Sequence, residues 1–248
     1  MHESVAILGV KVHKICRSEL EAEIDHVFKL SKDDKPIFIA TVNPSFIMKA
    51  QHNPTFRGIL NNVTTLNVSD GVGLRLADPS LEVITGVDIT KMLLNKANKL
   101  GKSVLIIHRK DSLLTESVLV EHLLKKYPNL CFKVISLSNK GHIVDNFKLR
   151  YDLLLCTFGE VTQEMFIAHN IPYLKPKIAI GIGGSFDILC GIVKDADSHN
   201  FKWLYRLISN PKRLSKTIRS VVIFPVLLVT DRIRSILWKK DTPLLKTP

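Results

Sequence analysis

Three short stretches of this sequence combine residue types that can do chemistry. Thr41-Val-Asn-Pro44 and Ser69-Asp70-Gly-Val-Gly73 each follow an apolar run, Pro36 to Ala40 and Leu66 to Val68. Two strand ends that deliver small polar side chains and one carboxylate into one rim are how open α/β sheets build active sites. Gly181-Ile-Gly-Gly-Ser185 follows a third apolar run, Ile178 to Ile180, and free backbone N–H groups there could approach a phosphate or a sugar. It is not a G-x-G-x-x-G, because Phe186 stands where the third glycine would be. On spacing alone, plainer readings compete. A helix cap at Asn43-Pro44 and an ordinary turn at Asp70-Gly71 are the stronger explanation of the first two stretches, and a tight turn explains the third equally well.

Other chemistries are excluded by pattern. There is no H-E-x-x-H, no G-x-S-x-G and no Walker A sequence, which argues against a zincin, a common α/β hydrolase and a P-loop NTPase. The 9 histidines have no metal spacing; His13, His26, His122 and His169 are expected to be surface or partner-satisfied residues. Cys16, Cys131, Cys156 and Cys190 form no C-x-x-C and lie in or beside apolar runs, so they are expected to be reduced core or near-core thiols of a cytosolic protein. The N-terminal Met-His-Glu-Ser lacks a basic region followed by a long apolar one, so no signal peptide is expected.

The elements that must position these residues alternate. Short apolar strands are expected at Val5 to Val10 with a returning arm to Ile15, at Pro36 to Ala40, Thr65 to Val68, Val104 to Ile107, Phe132 to Leu137, Asp152 to Cys156 and Ile178 to Ile180. Helices fall between them. One is capped by Ser18 with Glu21. Others open at Asn43-Pro44, Asn53-Pro54 and Thr85, and span Ser112 to Tyr127 and Gln163 to His169. This alternation predicts an α/β fold: a Rossmann-like, mainly parallel sheet flanked by helices.

The chain of 248 residues is 46% hydrophobic, enough for one globular domain with an appendage. Its charge of +12 is unevenly placed: residues 201–248 hold 11 Lys and Arg against 2 acidic residues, while residues 1–200 are nearly balanced. The domain is therefore expected over 1–200, and 201–248 reads as a basic, helical, amphipathic appendage for a polyanionic partner. Asn210 to Arg219 reads as a capped basic helix with Pro211 in its first turn. Val221 to Val229 is too short to span a bilayer. Flanked by Arg219, Arg232 and Arg234 and followed by Trp238-Lys-Lys240, it reads as a segment lying in a membrane interface, in preference to a helix packed on the body.

Taken in order, the motifs carry a resemblance. Thr41-Val-Asn-Pro44, Asn53-Pro-Thr-Phe-Arg57, Asp70-Gly-Val-Gly73, Thr85-Gly-Val-Asp88, Gln163-Glu164, Gly181-Ile-Gly-Gly-Ser-Phe-Asp187 and Trp203-Leu-Tyr-Arg206 with Pro211-Lys-Arg-Leu214 occur in one sequence at compatible spacing. Together they resemble the WecG/TagA/CpsF glycosyltransferases, the N-acetylmannosaminyltransferase-like enzymes of bacterial cell-surface polysaccharide synthesis. The resemblance runs from about Val5 to about Arg219. It implies inverting transfer of a sugar from a UDP-sugar to a polyprenyl-diphosphate-linked acceptor, on the cytoplasmic face of the bacterial plasma membrane, by a peripheral protein. It implies Asp70 as general base, with Thr41 and Asn43 lining the same pocket. Gly71, Gly86, Asp88, Gln163, Gly181, Gly183, Gly184 and Ser185 are then expected on the donor side. Arg206, Lys212, Arg213 and Arg219 are candidates for the acceptor diphosphate, against the alternative of a solvated helix face. Asp195-Ala-Asp197 matches D-x-D but precedes the basic tail, where the family has no metal site. No metal and no cofactor are therefore expected, and the departing UDP would be met by cations and N–H donors.

The sequence also departs from the family. Val83 replaces an arginine before the T-G-x-D motif, His108-Arg-Lys-Asp111 replaces a glycine-rich turn, and Val161-Thr162 and Met165-Phe166 flank the Gln-Glu pair where a Pro-Lys and a Trp are usual. These changes fall on the donor side, where Arg109 and Lys110 could supply charge in compensation. They favour the runner-up reading, a non-catalytic member that binds nucleotide-sugar or lipid diphosphate in a polysaccharide-assembly complex. Nucleic acid is not expected as a partner, because the basic tail contains no recognised module. Self-association into a homo-oligomer is left open.

Overall fold

The computed structural model describes residues 2–31, 34–138, 150–193 and 223–241, with side chains described only as far as residue 234 in the last segment. The chain opens with a hairpin, β1 (Ser4–Ile7) and β2 (Val10–His13), paired antiparallel. Its two-residue turn has positive φ at both Leu8 (47°) and Gly9 (75°), the arrangement whose twist matches the strands it joins.

Six strands form the main sheet: β3 (Ile37–Val42), β4 (Leu66–Ser69), β5 (Ser103–Arg109), β6 (Cys131–Leu137), β7 (Leu153–Cys156) and β8 (Ile178–Gly181). Every pairing is parallel and the order is β4-β3-β8-β7-β5-β6. The expected Rossmann-like arrangement is present. From β3 the chain moves to edge strand β4, and from β5 to the opposite edge strand β6. The C-terminal ends of β3, β8 and β7 lie between these diverging connections, where open α/β sheets bind ligands.

The sheet is covered on both faces, which explains why its central strands read as unbroken apolar runs. On one face α1 (Arg17–Lys29), α4 (Gly86–Leu100) and α5 (Glu116–Lys126) pack Leu20, Phe28, Leu93 and Leu119 over Ile37, Ile39, Val104 and Ile106. On the other, α6 (Thr162–Leu174) covers Phe38, Leu105 and Ala179, while α2 (Pro44–His52) and α3 (Pro54–Gly58) cover Ala40 and Val42. A π-helical turn, Ile59–Val63, continues α3. Alternation along β3 therefore turns Thr41 toward the face covered by α4. The hairpin guards the β4 edge: the Asn67 N–H donates to His13 Nδ1 (2.9 Å) and Asn67 Nδ2 donates to the Lys11 carbonyl (2.7 Å). Burial, then the charges of Lys11 and His2, hold the His13 pKa below its ordinary value, so the neutral ring serves as acceptor.

Several boundaries differ from expectation. The first helix is capped at Cys16, whose N–H donates to Glu19 Oε2 (2.7 Å), two residues before the Ser18–Glu21 pair. Strand β3 extends to Val42, so Thr41 lies in the strand, because Val42 is buried on the α2 side. Helix α5 begins after Thr115, whose hydroxyl accepts from the Val118 N–H; Ser112 and His108 both bond the Leu114 carbonyl and hold the preceding residues in a turn. Cys156 is buried, but Cys131 is exposed on the edge strand.

The last described helix, α8 (Phe224–Asp241), follows a short helix α7 (Ser185–Leu189) in the described chain. It does pack on the body: Phe224 is fully buried with Phe46, Phe56 and Leu74, and Arg232 donates to the Ala77 carbonyl (3.1 Å). Yet Val226, Val229 and Ile233 of the same helix are more than half exposed. The apolar run therefore serves the core with one side and leaves the other outward. No helix among the described residues is long and apolar enough to cross a membrane.

Candidate functional site at the C-terminal rim of the sheet

Asp70 reaches the rim because the β3–β4 ladder runs one residue past β4: its N–H donates to the Val42 carbonyl (2.8 Å), setting it beside Asn43. Gly71 follows with φ 88° and ψ 152°, a conformation that favours glycine. A 3-10 turn, Val72–Leu76, then packs on the neighbouring loop so closely that a Cβ on Gly73 would lie 2.5 Å from Pro44 Cγ. The two glycines of the turn thus have separate jobs, one conformational and one steric. Asn43 does cap α2, its Oδ1 accepting from the Phe46 N–H (3.1 Å), and Pro44 occupies the first turn. The cap and the rim position are therefore the same residue, and the plain and the functional reading of Asn43 are compatible.

From Ser69 the rim continues through the Ile84 N–H, which donates to the Ser69 carbonyl (3.0 Å), into Thr85 and Gly86. Thr85 caps α4: its hydroxyl accepts from the Asp88 N–H (3.2 Å) and donates to Asp88 Oδ2 (2.6 Å). The Asp88 side chain is thus engaged at the helix start. Gly86 brings three motifs together, since a Cβ there would lie 3.6 Å from Ser185 Oγ and 3.7 Å from Thr41 Oγ1. Thr41 and Ser185 are buried.

The glycine-rich turn is more occupied than the sequence implies. Ile182 N–H donates to the Cys156 carbonyl (2.8 Å), Gly183 N–H to Gln163 Oε1 (2.9 Å) and Ser185 N–H to the Ile182 carbonyl (3.0 Å). The Ser185 hydroxyl also donates to the Ile182 carbonyl (2.7 Å). Most of the N–H groups that could have met a phosphate hold the turn together instead.

Two acidic residues lie near this turn: Glu160, which the sequence does not single out, and Glu164, which it marks only as the partner of Gln163 in the Gln-Glu pair. Glu160 Oε2 accepts from Ser45 Oγ (2.8 Å) and Lys49 Nζ (2.9 Å), tying the loop after β7 to the start of α2. Its position just after Gly159, in the loop that follows β7, is the available signal. Glu164 is fully buried, and burial pushes its pKa up to about 7 against the hydrogen bonds it receives from Gln163 and Val161. On the far side of β7, Arg109 N–H donates to Thr157 Oγ1 (2.8 Å), and Arg109 and the exposed Lys110 leave β5 at this same rim. Among the described residues no group of three or more His, Cys, Asp or Glu is placed to hold a metal ion. Arg206, Lys212, Arg213 and Arg219 lie outside the described residues, as does the expected basic helix.

The structure thus brings Thr41, Asn43, Asp70, Gly86 and Ser185 to one rim, with Gln163 behind the glycine turn. Comparison with known proteins bears on what such a rim does. A sequence model of the glycosyl transferase WecG/TagA/CpsF family matches residues 5–237. A protein of Bacillus subtilis (strain 168), an N-acetylglucosaminyldiphosphoundecaprenol N-acetyl-beta-D-mannosaminyltransferase, is 32% identical over 227 residues, covering 84% of this chain and 86% of that protein. Proteins of the same name from Bacillus spizizenii and Staphylococcus aureus (strain MW2) are 29% and 24% identical, covering 79% and 89% of this chain and 80% and 90% of their own lengths.

Proposed function

The chain belongs to the WecG/TagA/CpsF glycosyltransferase family, and from that premise we propose that it transfers an N-acetylmannosamine-like or related sugar from a UDP-sugar to a sugar carried on a polyprenyl diphosphate. The observation that carries the reading is the convergence of Asp70, Asn43 and Thr41 with Gly86 and Ser185 at one rim of a parallel sheet. The transfer inverts the anomeric centre. Asp70 accepts the proton of the acceptor hydroxyl as its oxygen bonds to the anomeric carbon, while the bond from that carbon to the UDP oxygen breaks. The departing diphosphate carries negative charge away. Because the glycine turn spends most of its N–H groups internally, that charge falls to the start of α4 and to Arg109 and Lys110. The role assigned to Arg206, Lys212, Arg213 and Arg219 is to hold the acceptor diphosphate, and the chemistry needs no metal or added cofactor.

A second reading has its own observation. Val83 and His108-Arg-Lys-Asp111 depart from the family on the donor side, which suits a member that binds its ligand without turnover. Release of UDP from a UDP-sugar in the presence of acceptor, measured with and without EDTA, separates the two. Turnover that EDTA leaves unchanged is expected; UDP binding by calorimetry without turnover supports the second reading.

A lipid-borne acceptor supports work at a membrane surface, which this reading assigns to the cytoplasmic side, and the outward side of α8 fits that assignment. Val226, Val229 and Ile233 project from a helix whose other side is anchored by Phe224, near the exposed Leu76 and alongside Arg232 and Arg234. Replacing Val226, Val229 and Ile233 together by serine is expected to weaken sedimentation with phosphatidylglycerol vesicles about tenfold or more, through lost apolar burial in the interface. Unchanged sedimentation would remove α8 from the membrane contact.

A further inference from the structure

Glu164 is a carboxylate that contacts no solvent and sits one residue from a side chain of the candidate site. Burying such a group is costly unless each of its oxygens is satisfied. Here both are. Oε2 accepts from the Val161 N–H (2.8 Å), and Oε1 accepts from Gln163 Nε2 (2.7 Å). The Gln163 amide is thereby fixed in one orientation, and its Oε1 faces the other way, accepting from the Gly159 N–H (3.1 Å) and the Gly183 N–H (2.9 Å). Turning the amide over would set its NH₂ against two N–H donors and its oxygen against the carboxylate.

The arrangement links two turns. Gly159 belongs to the loop after β7, and Gly183, at φ 50°, belongs to the turn after β8 that presents Ser185 to Gly86 and Thr41. Gly181 leaves the room Gln163 needs, since a Cβ there would fall 2.5 Å from Gln163 Cδ and Cγ. Val161, whose N–H the carboxylate holds, has φ 76° and ψ −56°, the strained geometry of a classic γ-turn and costly for a β-branched residue. Strain of this kind persists where the surroundings over-determine it, and the Glu164 hydrogen bond is one such constraint.

We propose that Glu164 is a positioning residue for sugar transfer: its carboxylate orients the Gln163 amide, which clamps the Gly159 and Gly183 turns into the shape that lines the site. The part played in transfer rests on the function proposed above; the clamp itself does not. Gln163 accordingly acts on the shape of the donor side through its neighbours, because its amide oxygen is already taken by two N–H groups. A glutamine at 164 cannot replace the carboxylate, since it offers one acceptor where two donors arrive. The reciprocal exchange can. With Glu at 163 and Gln at 164, the new amide oxygen accepts from Val161 N–H, its NH₂ donates to the new carboxylate, and that carboxylate accepts from Gly159 and Gly183.

The test compares the full-length wild type, E164Q and the Q163E/E164Q double variant by amide hydrogen exchange and by sugar transfer to a short-chain lipid-diphosphate acceptor. In E164Q, exchange at Gly159 and Gly183 is expected to accelerate roughly tenfold and transfer to fall roughly tenfold, as for loss of one buried hydrogen-bond partner. The double variant is expected to recover protection at both glycines and most of the transfer rate. Unchanged exchange in E164Q, or a well-folded double variant that fails to restore protection, overturns the clamp. Accelerated exchange with wild-type transfer overturns the positioning role. If exchange responds and recovers but even the wild type transfers no sugar from any UDP-sugar offered, the proposed function fails, and with it Glu164's part in transfer, while the clamp stands.

Discussion

Asp70→Asn is expected to lower sugar transfer by about 10²- to 10⁴-fold, the usual range for loss of a general base. The substitution keeps the size and shape of the side chain and removes its capacity to accept a proton at neutral pH. The backbone bond that places residue 70, its N–H to the Val42 carbonyl, does not involve the side chain. Gly71 and Gly73 are untouched, so the turn retains its conformation and its packing on Pro44. The melting temperature is accordingly expected to move by no more than about 3 °C, as for a substitution costing under about 1 kcal/mol. Full activity in a folded Asp70→Asn protein would remove Asp70 from the chemistry.

The second large effect is expected at Gly181. An alanine Cβ there would overlap the Gln163 side chain, with Cδ and Cγ both 2.5 Å away. Gln163, in the first turn of α6, is buried against β8 and cannot simply swing into solvent. Its displacement would strip the Gly159 and Gly183 N–H groups of their acceptor and Glu164 of its donor. Overpacking together with unsatisfied buried groups costs about 2–4 kcal/mol, or about 5–15 °C in melting temperature for a domain of this size. Transfer is expected to fall with it. Gly183→Ala supplies the contrast. Among the described residues its only neighbour within 4 Å would be Gln163 Oε1 at 3.9 Å, so its cost is that of a left-handed φ, about 1 kcal/mol. Thermal unfolding of the two variants side by side checks this; equal melting temperatures would mean that Gln163 does not pack on Gly181.

Much of this rim was legible in the sequence because glycine, proline and capping residues are punctuation with fixed physical meaning. Thr85 and Asn43 cap the helices they precede. The alternation of apolar runs with amphipathic helices sets out the parallel sheet. What was not legible depends on contacts between segments distant in the chain. A strand pattern breaks at the first polar residue, which puts Thr41 in the loop, although Val42 beyond it is buried against α2. Ser112 to Leu114 carries apolar residues suited to a helix, but Leu113 is exposed and the Leu114 carbonyl is taken by Ser112 and His108. The run around Phe224 looked uniformly apolar, and only helical geometry divides it into a buried and an exposed side. The free N–H groups expected of the glycine turn are consumed by partners such as Gln163 and Cys156 that lie elsewhere in sequence. Glu164 stands out in the sequence only as the partner of Gln163, and its burial is not legible, because nothing local announces that α6 buries its start against the sheet.

Every role proposed for the rim depends on a sugar leaving UDP for a lipid-borne hydroxyl at Asp70. The most direct measurement is the mass of a short-chain polyprenyl-diphosphate acceptor carrying N-acetylglucosamine, after incubation with the protein and a panel of UDP-sugars. The expected result is an acceptor heavier by one sugar residue for at least one donor, formed by the wild type and lost in Asp70→Asn. An acceptor of unchanged mass with every donor, from a protein that nonetheless binds UDP, would contradict it.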